Sequence, residues 1–214
     1  MASNWKLTAL AAVVSLSILA PPARVAAQEN ARGRQLWGLC QQCHAEDGGG
    51  TPSYLAPAIA GLPAWYVKRE LQKFHDGIRG THFDDISGMR MRPMALWLQT
   101  EADIAAVSDY VAALPPVEPV PLLEGGNAAA GAPHSAPCIA CHGAGGQGNE
   151  QLGAPPLTHA SDWYMLTQLQ HFKQGIRGAN PKDTQGALML PMARLLPDEQ
   201  AMKNVIAYIV TLQP

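Results

Sequence analysis

Cys40-Gln41-Gln42-Cys43-His44 and Cys138-Ile139-Ala140-Cys141-His142 are the two stretches that decide how this chain is read. Each is Cys-x-x-Cys-His. Two thiols at this spacing can add across the two vinyl groups of one porphyrin, and the histidine that follows then lies under the iron and ligates it. Four cysteines in an exported chain would otherwise suggest two disulfides, or a zinc site completed by the two histidines. A complete Cys-x-x-Cys-His occurring twice, each time inside a compact repeat, favours two covalently attached haem c groups over both. The cofactor-binding residues are then Cys40, Cys43, His44, Cys138, Cys141 and His142.

Working outward from these motifs, the chain repeats itself without a gap. A shift of 98 residues lays Cys40 on Cys138, and Gly33–Leu114 matches Gly131–Leu212 at 28 of 82 positions. The matches are clustered. Trp65-Tyr66 meets Trp163-Tyr164, and Gly77-Ile78-Arg79-Gly80 meets Gly175-Ile176-Arg177-Gly178. Met91, Pro93, Met94 and Ala95 meet Met189, Pro191, Met192 and Ala193. This is a tandem duplication of one haem domain of ordinary size. Between the copies runs Pro115-Pro116-Val117-Glu118-Pro119-Val120-Pro121, which cannot continue a helix and favours a stiff, extended conformation. The reading therefore places an N-terminal domain at 28–114, a linker at 115–121 and a C-terminal domain at 122–214.

Residues 1–27 read as a signal peptide. Lys6 provides a basic start, Leu7 to Ala20 an apolar run, and Val25-Ala26-Ala27 the small residues of a cleavage site. The run is short for a spanning helix, although a retained anchor is the competing reading. Export to the periplasm and a mature protein without a stable membrane span are expected. Residues 28–214 hold 13 basic and 17 acidic side chains, which argues against a nucleic-acid partner. By halves, residues 28–118 hold 8 basic and 11 acidic groups, and residues 119–214 hold 5 and 6. More negative surroundings favour ferric iron, so the N-terminal haem is expected to have the lower potential.

Helical spacing recurs in both copies. Apolar and aromatic residues recur at that spacing over Leu62–Phe74 and Ser161–Phe172, and along one face over Thr100–Leu114 and Asp198–Leu212. Residues 30–40 make a first helix, while Pro133 and Pro137 should shorten or distort its counterpart before Cys138. No alternating strand pattern is visible. The expected fold class is all-α: two tandem haem domains, each wrapped by long ordered loops.

The proximal iron ligands are His44 and His142. A ligating histidine donates its other ring N–H to an acceptor that fixes the ring, and the carbonyls of Pro57 and Pro155 are at matching positions to receive it. The sixth ligand should be a duplicated residue. Methionines are duplicated at 91/189 and 94/192, whereas His75, His82, His134, His159 and His171 have no counterpart and need no special role. A thioether favours reduced iron and raises the potential.

The two Cys-x-x-Cys-His domains, the Trp-Tyr…Leu-Gln-x-Phe-x-x-Gly segment and the Met-rich loop before a Tyr-bearing helix resemble the dihaem cytochromes of the c4 type. The resemblance covers nearly the whole expected mature chain. It implies two class I cytochrome c domains, with the axial methionine seven residues before the Leu that precedes the last helix. That place is held by Met91, before Leu98, and by Met189, before Leu196, so the implied metal ligands are His44, Met91, His142 and Met189. Two departures stand out. The glycine usual after the haem histidine is present as Gly143 but replaced by Ala45, and the Arg-Gly…Asp…Gly…Met segment suggests a c4-like subgroup. Arg79 and Arg177 could pair with haem propionates, and so could Trp65, Tyr66, Trp163 and Tyr164.

With imidazole and thioether both bound, no iron position stays open for substrate, so outer-sphere electron transfer is expected rather than catalysis. The partners would be redox proteins: a quinol-oxidising complex or dehydrogenase as donor and a terminal oxidase as acceptor. A cytochrome subunit of a dehydrogenase, such as a flavin-containing sulfide oxidiser, is the alternative. A dihaem enzyme of the peroxidase or thiosulfate-oxidising kind would need one displaceable ligand.

Overall fold

The computed structural model describes residues 23–212, with side chains from Ala31 onward. The expected leader, 1–27, lies outside the described residues apart from the backbone of 23–27. The first half contains α1 (Ala23–His44), α2 (Ala64–His75), α3 (Ile86–Trp97) and α4 (Glu101–Ala113). The second contains α5 (Ala128–Gly131), α6 (Ala136–His142), α7 (Asp162–Gln174), α8 (Thr184–Arg194) and α9 (Glu199–Val210). Among the described residues no strand forms; the extended pairs are isolated bridges, Thr51 with Ala56 and Asn149 with Ala154. No described helix is long and apolar enough to cross a membrane.

Each half is organised where its first and last helices cross. Gly33 of α1 lies directly on the Ala106 carbonyl of α4, and Gly131 of α5 lies on the Asn204 carbonyl of α9. A Cβ at either place would overlap the opposing backbone, so only glycine permits the approach. Around the first crossing Leu36, Leu98, Ile104 and Val107 are fully buried. Around the second, Leu196, Met202, Val205, Ile206 and Ile209 do the same. Each such aliphatic side chain contributes roughly 1.5–3 kcal/mol by leaving water. The long α1 runs unbroken into Cys40–His44. Its counterpart is split into α5, a 3-10 turn over Ala132–His134, and α6, with Pro133 and Pro137 at the breaks.

The segments bearing Met91 and Met189 differ from the expected loops. They are helices, α3 and α8, despite Pro93 and Pro191 within them. The physical reason lies at their starts. The Asp85 carboxylate accepts from the Gly88 amide at 2.9 Å, and Asp183 accepts from Gly186 at 3.0 Å. Both aspartates are buried N-caps, worth about 1 kcal/mol each, and they nucleate a turn that propensity alone would not. The stretch from Pro115 to Glu124 has no helix. It is tied to the second half where Leu122 and Leu123 donate to the Asp162 carboxylate at 2.9 and 2.8 Å, and where Glu118 meets His159 Nδ1 at 2.6 Å.

Candidate functional site

At the end of α1, His44 is buried and its Nδ1 donates to the Pro57 carbonyl at 2.9 Å. At the end of α6, His142 does the same to Pro155 at 2.6 Å. A carbonyl can only accept, so both rings carry their proton on Nδ1. That leaves the Nε2 lone pair for a metal. The Nε2 of His44 is buried with no hydrogen-bond partner. Burial lowers the proton affinity of both imidazoles below the ordinary histidine range, opposed by these carbonyl bonds, which keeps each ring in its neutral, ligating form. The residue after each histidine has a positive φ, Ala45 at 65° and Gly143 at 86°, a backbone that glycine adopts with less strain than alanine.

All four cysteines are free. Burial pushes the Cys40 thiol up to about 11 and raises Cys138 as well, so both are held as thiols. The histidines face one continuous cavity of about 340 Å³ that runs through both halves. Phe74 and Met91 line its first half, Phe172 and Met189 its second. Met94 is exposed and does not line it, whereas Met192 does, beside Met189. The donor set suits haem at each end: an apolar slot, a neutral imidazole with an unpartnered nitrogen, and two thiols on the preceding helical turn.

Where the two slots meet, the halves share a buried polar cluster. Arg79 donates to Glu70 at 2.6 Å and Arg177 donates to the same carboxylate oxygen at 2.9 Å. Both also donate to the Gln168 amide oxygen, at 3.2 and 2.8 Å. Glu70 and Gln168 are 98 residues apart, as are the arginines, so the cluster is a near two-fold with one charge removed. Burial alone would raise the Glu70 carboxyl, but Arg177, Arg79 and Lys73 hold it far below the usual carboxylate range. Tyr66, buried beside Glu70, is pushed up to about 12. The Nε atoms of Arg79 and Arg177 remain buried and unpartnered, available to a further anion such as a propionate. Trp65 packs edge-on against Tyr66, and Trp163 against Tyr164. Tyr164 also accepts from Arg79 at 3.4 Å.

A second near-symmetric pair crosses the same boundary. Lys73 meets Asp183 at 2.7 Å, and His171 faces Asp85 at 3.7 Å. Residues 73 and 171 are equivalent, as are 85 and 183, so each half grips the cap of the other half's methionine helix. The sequence reading assigned His171 no role. Its lack of a histidine counterpart concealed that its counterpart, Lys73, also faces an aspartate of the other half, and the 98-residue register carried that signal. Glu70, Gln168 and Lys73 were likewise missed.

The chain matches the cytochrome c family model twice, over residues 30–115 and 128–213. It is 30% identical over 212 residues to the thiosulfate dehydrogenase electron acceptor of Stutzerimonas stutzeri, covering 92% of this chain and 90% of that protein. The structure of a thiosulfate dehydrogenase from Marichromatium purpuratum superposes with a TM-score of 0.69 at 31% identity. That match covers 86% of this chain and only 40% of the dehydrogenase chain. Cytochrome c4 of Acidithiobacillus ferrooxidans superposes at 0.64 and 27% identity, over 82% of this chain and 99% of its own. Duplicated motifs, paired imidazole slots and these matches agree: the chain belongs to the cytochrome c family, as a c4-type protein of two tandem domains that holds two covalent haem c groups and transfers electrons.

Proposed function

We propose that this protein accepts single electrons from an exported dehydrogenase of the thiosulfate-oxidising kind and passes them to a terminal acceptor. The single observation that carries the reading is the shared cavity, in which two histidine-bearing slots open into one another. Bound haem supplies a one-electron ferric–ferrous couple. The chain does the rest. His44 and His142 would ligate through Nε2, with the ring orientation set by the Pro57 and Pro155 carbonyls. Met91 and Met189 would each supply a thioether to an iron, and sulfur favours the reduced state. The apolar lining excludes water, and the buried cluster around Glu70 holds the halves at a constant separation. The domains are 28–114 and 122–214, exported behind a leader at 1–27 and acting in the periplasm.

The test mixes the haem-loaded protein with a thiosulfate dehydrogenase and thiosulfate, and follows both haems by stopped-flow absorbance. Reduction that requires the dehydrogenase is expected. No reduction with it, or turnover of thiosulfate by this protein alone, would overturn the proposal.

A second reading, a stable cytochrome subunit of such a dehydrogenase, is favoured by the outer face of α3. Ile86, Met89, Leu96 and Trp97 are exposed there. The equivalent face of α8 carries Thr184, Ala187, Arg194 and Leu195, with Leu188 exposed where α3 has Arg90. Co-elution of the two proteins at physiological salt supports a subunit, and separate elution supports a mobile carrier.

A further inference from the structure

We infer that Ser161, in the second domain, tunes the potential of the first domain's haem through the peptide that joins Pro57 to Ala58. The inference rests on His44 as the proximal ligand. Two buried hydrogen bonds meet on that one peptide. Its carbonyl accepts from His44 Nδ1 at 2.9 Å, and its N–H, that of Ala58, donates to Ser161 Oγ at 3.0 Å. Ser161 is 3% exposed and sits at the N-cap position of α7, yet its side chain does not cap that helix. The hydroxyl reaches across the domain boundary instead.

The second half cannot build the same relay. His142 donates to the Pro155 carbonyl, but the next residue is Pro156, which has no N–H. The position equivalent to Ser161 is Pro63, which has no hydroxyl. Both parts are absent from one half and present in the other.

The consequence follows from peptide electronics. An amide that donates through N–H carries more negative charge on its oxygen, so the two bonds reinforce one another, by about 10–30% each. A stronger acceptor draws the Nδ1 proton further from the ring and makes the imidazole a better donor to iron. That stabilises ferric haem and lowers the potential of the first domain. The effect has the same sign as the Glu70 charge, which Gln168 lacks. Because the hydroxyl belongs to the other domain, the potential also reports whether the two domains are docked.

The experiment compares Ser161→Val and Ser161→Thr, two branched side chains of the same shape of which only Thr keeps the hydroxyl. The readout is a redox titration resolved per haem by NMR. Val should shift the first haem's reduced-to-oxidised ratio about threefold toward reduced, about 28 mV at 59 mV per tenfold. The second haem should stay in place, and Thr should match the wild type. Ala58→Pro removes the same bond from its other end, copies the natural Pro155-Pro156, and should give the same rise. It serves alone if the Val variant does not load haem. Unchanged potentials in the hydroxyl-less or N–H-less variant would overturn the inference, as would an equal shift of both haems. A wild-type spectrum without histidine-ligated haem in the first domain would instead remove the ligand assignment, and is seen before any variant is made.

Discussion

Replacing Glu70 by Gln removes one negative charge from the domain boundary while keeping the shape of the side chain. The carboxylate lies within 3.0 Å of Arg79, Arg177 and Lys73. At an effective dielectric near 20, each such pair is worth about 4 kcal/mol of attraction. Part of this is offset because the neutral amide no longer bears the several kcal/mol of carboxylate desolvation. Lys73 retains Asp183, but the two arginines, almost fully buried, lose their shared counter-ion. Breaking a buried pair from one side costs about 3–5 kcal/mol. At about 2–4 °C per kcal/mol for a chain of this size, the melting temperature should fall by about 10 °C. The assay is thermal unfolding of the haem-loaded protein followed by far-ultraviolet circular dichroism. Because the carboxyl is held far below its ordinary value, its contribution is present above pH about 4.5 and is lost only as pH falls through that much lower folded value. The gap between wild type and variant should therefore be the same at pH 7 and pH 5.5. A loss under about 1 kcal/mol would refute the reasoning and show that another anion, such as a propionate, neutralises the guanidinia.

Three further outcomes are expected. Ala45→Gly should stabilise the protein by about 0.5–1 kcal/mol in denaturant titration, because Ala45 holds a left-handed conformation that costs a non-glycine residue more than glycine's flexibility does; a destabilised variant would count against it. His171 is half-buried beside Asp85 and faces Arg79, Arg177 and His82; partial burial lowers its proton affinity, opposed by Asp85. The neutral ring is thus favoured in the fold, so stability should be full above pH about 6.5 and fall as pH drops through the folded value. His171→Gln should flatten that slope in melting temperatures at pH 7.5 and 5.5, and an unaltered slope would remove His171 from the account. Met91→Ala should abolish the thioether-to-iron absorption band of one haem while Met94→Ala leaves it intact; a band surviving the first change would move the assignment to Met94.

The departures of structure from sequence reading share a pattern. The resemblance to c4-type cytochromes makes the Met91 and Met189 segments loops, whereas they form helices capped by Asp85 and Asp183 in spite of Pro93 and Pro191. Ala45 departs from the glycine of the family, yet it holds a positive φ as Gly143 does. His171 and His159 were dismissed as unduplicated, although one faces an aspartate of the other domain and the other meets Glu118 of the linker. For both histidines the partner lies far along the chain.

What the sequence determined by itself is the local chemistry. Thioether attachment and proximal ligation need only two cysteines and one histidine within about one turn of helix, so they are written in five consecutive letters. The Pro57 and Pro155 carbonyls could be named because a fixed offset of 13 residues carries each back to its histidine. Only the tertiary structure decided how the halves join: Arg177 on Glu70, Lys73 on Asp183, Ser161 on Ala58. Those contacts span more than 100 residues and depend on how two folded surfaces meet. No periodicity or spacing records that geometry, because it is selected by shape and charge only after each domain has formed its own core.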